Sequence, residues 1–308
     1  MTLDADAKAL LDKLIELAPP PYHSLTPEEA RAAQDASREA AAAVPPDIAA
    51  VEELSYDGPA GALPIRLYRP HNRREKPEPF LVFFHGGGWV IGSLDSHDIL
   101  CRKLALGTGL TVLSVEYHLA PEHKFPTCIE DASAAVEWIF AHAESLRLNA
   151  AEAMIGGDSA GAAIATVMAI FERDAGKNRF KKQLLIYPVT DLTMSRKSHD
   201  ISVPGLPVTG ETMRWFRQHY LTTEKQQTDW RASPFFVPDV SGLPPTFVAT
   251  AGYDPLWDEG DAYARRLSDA GVPVTLRHYP GQIHGFVTIG AALPTSEIAI
   301  QDCVEFLK

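Results

Sequence analysis

Cysteine is scarce in this chain. Cys101, Cys128 and Cys303 are widely scattered, and none falls in a C-x-x-C spacing. A set so small, odd and dispersed excludes a disulfide framework and predicts reduced thiols in a cytoplasmic protein. Net positive charge is lacking too. The formal balance of −12 argues against nucleic acid or an anionic membrane surface as partner, and it favours solubility. No apolar run reaches membrane-spanning length, and Met1-Thr2-Leu3-Asp4-Ala5-Asp6 is acidic where a secretion signal needs positive charge. The H-E-x-x-H spacing is missing as well, so His85, His97, His118 and His123 give no reason to expect a bound metal. There is no internal repeat and no low-complexity tract.

What is present is material for a large core. Hydrophobic residues make up 45% of the 308 positions and charged ones 22%, a balance that fits one large α/β unit. Residues 1–50 read as helical: Leu10, Leu11, Leu14, Ile15 and Leu17 recur at helical spacing, with Asp4, Asp6 and Lys13 off that face. Pro19-Pro20-Pro21 ends this helix, and Thr26-Pro27-Glu28-Glu29 opens a second, running to Ala43. Such a segment reads as an appendage to a core sheet. From Val51 the period changes. A hairpin is predicted over 51–68, then buried strands over 80–84, 110–115, 152–156, 183–187, 246–250 and 272–279. Helices over 96–106, 128–140, 162–170 and 257–270 alternate with them, and a last one follows Pro294. This rhythm predicts a mostly parallel sheet covered on both faces. It breaks over 190–240, which is polar, holds several prolines and carries one amphipathic helix, Glu211–Leu221. The break reads as a cap insertion between two halves of the core, 51–189 and 241–308.

The chemistry centres on Gly157-Asp158-Ser159-Ala160-Gly161, a G-x-S-x-G spacing set between a strand and an Ala-rich helix. The pattern alone is common by chance, but two further motifs in the right order support it. His85-Gly86-Gly87-Gly88-Trp89 directly follows the strand 80–84, and consecutive glycines leave backbone N–H groups unshielded. Gly87, Gly88 and Ala160 are therefore the expected oxyanion donors, with Gly86 serving the turn. The base should be a histidine on a loop after a late strand. His284, in Gly281-Gln282-Ile283-His284-Gly285-Phe286, meets that requirement, whereas His278 lies inside the strand and His199 and His219 fall in the cap. Asp254 follows the strand 246–250 and is the expected acid, while Asp258, Glu259 and Asp261 should cap a helix or face solvent. Asp158 is expected to play a structural part around the elbow. Trp89, Tyr187, Met213, Phe216, Ile283 and Phe286 are the candidates to line an acyl or alcohol pocket.

These motifs, with Asp254-Pro255-Leu256 ahead of Asp258-Glu259-Gly260 and with His284-Gly285-Phe286, resemble the hormone-sensitive-lipase-like family (family IV) of bacterial carboxylesterases, of the α/β-hydrolase fold. Glu116-Tyr117-His118-Leu119-Ala120-Pro121-Glu122 resembles the family's Tyr-Arg-Leu-Ala-Pro-Glu stretch, with His118 in place of Arg. The resemblance spans roughly residues 50–308, and the helical front segment is similar to the family's N-terminal cap. It implies a serine carboxylesterase acting on small-molecule esters of short to medium acyl chains. It also implies no cofactor or metal, and a homodimer joined through the late edge strand 272–279. An amide or formamide hydrolase would share the same triad. A non-catalytic small-molecule receptor of this kind would lack the histidine that is present here at 284.

Overall fold

The structure, a computed structural model, describes residues 2–41, 43–71, 76–289 and 293–308. The chain enters through α1 (Ala5–Leu17) and α2 (Pro27–Ala41). Helix α2 starts on a capping box: Thr26 Oγ1 accepts the Glu29 N–H at 3.2 Å and Glu29 Oε2 accepts the Thr26 N–H at 2.8 Å. The expected end of α2 at Ala43 passes through Ala42, which lies outside the described residues. Helix α1 corrects its expected face. Ala7 and Leu11 are buried, but Ile15 and Leu17 are exposed, because the helix docks by its first turns and its last turn runs on past the surface it covers.

The hairpin forms as expected, β1 (Ala50–Gly58) against β2 (Gly61–Arg69), with Gly58 opposite Gly61. Then come β3 (Glu78–Phe84), α3 (Asp98–Thr108), β4 (Thr111–Val115), α4 (Thr127–Ala141), β5 (Leu148–Asp158), α5 (Ala160–Asp174) and β6 (Phe180–Ile186). The stretch between β6 and β7 carries α6 (Gly210–Tyr220), N-capped by Thr209, which accepts the Thr212 N–H. The chain closes with β7 (Thr246–Tyr253), α7 (Trp257–Asp269), β8 (Val274–Ile283), the short α8 (Phe286–Ile289) and α9 (Pro294–Leu307).

Among the described residues, eight strands make one sheet, in the order β1-β2-β4-β3-β5-β6-β7-β8. Strands β1, β2 and β4 pair antiparallel in turn, and every pairing from β4 across to β8 is parallel. Strand β3 shows how one continuous apolar run serves both faces. Phe80, Val82 and Phe84 join the core under α4, α5 and α7, while Leu81 and Phe83 join the one under α1, α3 and α9. Of the expected buried side of α4, Phe140 is only half-buried and meets Phe80 and Phe180 edge-on.

The chain leaves β3 toward β4 and returns to β5 on the other side of β3. That reversal opens a crevice beyond the carboxyl ends of β3 and β5, where open α/β sheets bind ligands. The loop after β3 and the turn after β5 both lie there. A helical cap accompanies the sheet, and Tyr22, in the turn between α1 and α2, packs against Phe216 of α6 at 6.4 Å between ring centroids.

Candidate active site

Residue 159 stands where β5 must stop and α5 must start within one residue. Ser159 takes φ +52° and ψ −118°, a region that side-chain-bearing residues rarely adopt. The turn is possible because its neighbours approach so closely. A Cβ on Gly161 would run into the backbone carbonyls of Phe84 and His85, so the start of α5 lies directly on the end of β3. Sharp geometry and close packing leave the serine hydroxyl at the N-terminus of α5, on the crevice side.

The expected partners come to it. His284 Nε2 lies 3.1 Å from Ser159 Oγ, and His284 Nδ1 lies 2.7 Å from Asp254 Oδ2. The serine and histidine are 125 positions apart in sequence and the histidine and aspartate 30, so only the parallel order of β5, β7 and β8 brings them together. Asp254 is fully buried, and its other oxygen accepts the Leu256 N–H at 2.8 Å. Both nitrogens of His284 are thus assigned: Nδ1–H donates to the carboxylate, and Nε2 is left to accept from the serine. Burial acts to lower the basicity of His284, but the charge and hydrogen bond of Asp254 outweigh it, with Asp158 and Glu259 adding to the effect. The net result is a base above its ordinary value.

The N–H groups expected to act as oxyanion donors share a pattern. Each belongs to a peptide unit whose carbonyl is already engaged. The Gly86 carbonyl meets His85 Nδ1 at 2.8 Å, on the unit that carries the Gly87 N–H. The Gly87 carbonyl accepts from Val90 and Ile91, on the unit that carries the Gly88 N–H. The Ser159 carbonyl accepts from Ala162, Ala163 and Val189, on the unit that carries the Ala160 N–H. The Gly86 N–H, by contrast, is occupied by Asp158 Oδ1 at 2.8 Å, and that oxygen also meets His97 Nε2 at 2.9 Å. Asp158 therefore ties the elbow to the glycine loop.

The six pocket candidates are all buried, but they divide by position. The Phe216 ring of α6 lies against the Cα of Gly88, where any Cβ would collide with it, and Met213 stands one turn earlier on the same helix. Tyr187, just past β6, packs on the His284 ring at 4.6 Å between centroids. Phe286 lies behind Tyr187, between it and Tyr279, and Ile283 is in the core with it. Trp89 stacks on Tyr220 at 4.1 Å.

One expectation about the acidic run fails. Glu259 neither caps a helix nor faces solvent. It is fully buried, accepts the N–H groups of Thr190 and Asp191, and lies 3.4 Å from His199 Nε2. Asp258 accepts the Ser198 N–H. The start of α7 therefore anchors the chain as it leaves β6. His118 pairs with the buried Asp131 at 3.0 Å.

The sequence reading missed the anchors supplied by the front segment. Arg31 donates to the Val90 and Ala120 carbonyls and grips Glu122 with two nitrogens, holding that carboxyl down to about 2. Gln34, one turn on, accepts the Gly92 N–H at 2.8 Å. At the other end of the site, the Asp4 N–H donates to the Gly281 carbonyl and Gln282 Nε2 donates to Asp4, two residues before His284. The only sequence signal was a polar pair at i, i+3 on α2, which looks the same as an ordinary solvated face.

Comparison with known proteins identifies relatives of this chain. A family described as the alpha/beta hydrolase fold matches residues 81–288. An ethyl acetate hydrolase of Pseudomonas putida is 37% identical over 295 residues, 94% of this chain and 92% of that protein. The carboxylic ester hydrolase LipN of Mycobacterium tuberculosis is 40% identical over 261 residues, 80% of this chain and 68% of its own length. Among solved structures, an ester hydrolase from the metagenome of Lake Arreo, complexed with a bipyridine phosphonate derivative, superposes with a TM-score of 0.95 at 39% identity. That match covers 99% of this chain and 98% of the other. A hyperthermophilic esterase of the archaeon Pyrobaculum calidifontis gives 0.94 at 37% identity, covering 100% and 98%.

Proposed function

Since the chain belongs to the alpha/beta hydrolase fold family and is a serine ester hydrolase, we propose that Ser159, His284 and Asp254 form its catalytic triad and that its substrates are small-molecule esters of short to medium acyl chains. The observation that carries this reading is the unbroken line Ser159 Oγ, His284, Asp254, at 3.1 and 2.7 Å. In the proposed cycle His284 Nε2 takes the serine proton as Oγ attacks the ester carbonyl. Asp254 holds the imidazole in the required tautomer and offsets its positive charge. The N–H groups of Gly87, Gly88 and Ala160 receive the oxyanion, His284 returns the proton to the departing alcohol, and a water activated by the same histidine releases the acid from the acyl-serine.

No step calls for a metal or cofactor. Phe216, with Met213 one turn earlier on α6, and Tyr187 on the other side are proposed as pocket walls, since Phe216 borders Gly88 and Tyr187 borders His284. Trp89, Ile283 and Phe286 are proposed to support those walls. We further propose that the chain belongs with the hormone-sensitive-lipase-like branch, family IV, of bacterial carboxylesterases, a reading that its motifs support. The domain division at 1–50, 51–189, 190–240 and 241–308 belongs to the same reading, as do a cytoplasmic location and a homodimer through β8. The name of the Pseudomonas putida relative, an ethyl acetate hydrolase, supports a small acyl group here.

The test is hydrolysis of a p-nitrophenyl acyl series by the wild-type chain and by Ser159→Ala. Fast turnover on short chains should fall by about 10⁵–10⁶ in the variant while its fold is kept. Activity on an anilide or formanilide equal to that on the matching ester would favour the amide reading. Background rates in both proteins would favour the receptor reading.

A further inference from the structure

Both ring nitrogens of His85 face acceptors. Nδ1 lies 2.8 Å from the Gly86 carbonyl oxygen, and Nε2 lies 3.1 Å from Glu116 Oε1. The Tyr117 hydroxyl, 3.4 Å from Nδ1, donates its proton to the His85 carbonyl at 2.8 Å, so it offers Nδ1 only a lone pair. The other oxygen of Glu116 accepts the Leu94 N–H at 3.1 Å, and this bond with the contact to His85 favours the ionised carboxylate. A neutral imidazole has one N–H and would leave one of these contacts as acceptor against acceptor. At a fully buried ring that mismatch is costly.

We propose that His85 is a buried imidazolium that acts through the Gly86–Gly87 peptide, its Nδ1–H donating to the Gly86 carbonyl and so strengthening the Gly87 N–H as an oxyanion donor. The inference rests on the reading of Gly87 as a donor. The coupling is amide resonance. A charged donor on the carbonyl oxygen draws electron density away from the nitrogen of the same planar unit and makes its N–H a stronger donor. His85 touches no substrate and is a positioning residue. The carbonyl that it holds also fixes the plane of the peptide, so orientation and polarity come from one contact.

The surroundings support the charged form. Glu116, just past β4, pairs with the ring, and Asp158 at the end of β5 adds negative charge. The neutral Tyr117 ring stacks on it at 4.4 Å, and His97, in the turn before α3, lies at 5.6 Å with its own Nε2 on Asp158. Burial lowers the basicity of His85, but Glu116, the Gly86 carbonyl and Asp158 outweigh it and set it above its ordinary value. Burial raises Glu116, but His85 outweighs that and holds it below its ordinary value. The extra support for the oxyanion is present while His85 is protonated and is lost as pH rises through its elevated value.

The test combines ¹⁵N-histidine NMR with pH–rate profiles on the full-length chain. In the wild type at neutral pH, His85 should show both ring nitrogens protonated, and a pyridine-type nitrogen on this ring would overturn the proposal. Glu116→Gln keeps an oxygen for Nε2–H and removes the charge. Its alkaline limb should move to lower pH, with kcat/KM about tenfold down at mildly alkaline pH and close to wild type at the acid end, a smaller loss than removing an oxyanion donor outright. A loss of equal size at every pH would make His85 merely structural and reject the inference. If Glu116→Gln does not fold, the wild-type spectrum decides alone. Because that spectrum needs no turnover, a failure of this proposal is distinguishable from a Ser159→Ala result that overturned the serine reading.

Discussion

At the scale of single residues, the site depends on groups whose charge or shape admits few substitutes. In the proposed cycle His284 must be neutral to accept the serine proton, and Asp254 sets it above its ordinary 6.5. The acid limb of kcat/KM should therefore lie above pH 6.5, with activity rising as pH passes through it. In Asp254→Asn the Coulomb support is gone and burial, which lowers the value, remains. The acid limb should move to lower pH while turnover drops by about 10³–10⁴. A limb that stays in place would assign the titration to another group. Gly88 is constrained twice, by φ +59° and by the Phe216 ring against its Cα. Gly88→Ala should lose about 1–3 kcal/mol of stability, read from denaturant melts, and most of its turnover. Adding Phe216→Ala should return part of the stability, since the collision is removed and the backbone strain is not.

At the scale of elements, α2 is a brace more than an appendage. Arg31 and Gln34 hold Val90 and Gly92, in the loop that carries the candidate oxyanion donors, and Ala120 and Glu122, in the turn after β4 where the Ala120 N–H donates to the Trp89 carbonyl. Arg31 is partly exposed, so each bond is screened, but losing the set leaves two carbonyls without their charged donor. Arg31→Ala should cost about 1–2 kcal/mol. It should also lower kcat more than it raises KM, because loop placement matters most when charge develops on the substrate oxygen. Unchanged kinetics with lowered stability would limit α2 to a structural role. Helix α6 closes the opposite side by laying Phe216 on Gly88. Its apolar face was legible as an amphipathic period, and its target was not.

At the scale of the whole molecule, the front segment holds the crevice at two places. Asp4 and Gln282 join the entry of α1 to the strand end that leads to His284, and α2 holds the glycine loop. Removing residues 1–45 would uncover the surfaces that Ala7, Leu11 and Ala30 bury and release both anchors at once. The truncated chain should be poorly soluble or nearly inactive, and a soluble form with wild-type kinetics would reject the bracing role. Among the described residues, strand β8 ends the sheet with its outer edge unpaired. An equal strand from a second copy would cover that edge and stiffen the approach to His284. Sedimentation should then give about twice the 33.6 kDa of one chain, and a mass of 33.6 kDa at assay concentration would remove the dimer from the proposal.

The sequence by itself determined whatever depends on neighbours a few residues apart. Strand runs, helix periods and the proline and glycine stops placed most elements within a few residues. The glycines around Ser159, the glycine run after Phe84 and the loop at His284 marked the candidate chemistry, because a sharp turn or an unshielded N–H needs those residue types locally. Only the tertiary structure decided what distant surfaces do to one another. Glu259 looked solvated and is buried under the chain leaving β6. Ile15 and Leu17 looked like core and are exposed. Arg31 looked like one more charge on a polar face, yet its partner Glu122 is 91 positions away. The physical reason is the same in each case. Periodicity fixes which side of an element is apolar, but burial and hydrogen bonding depend on which other element arrives there, and that is settled by the packing of the whole sheet.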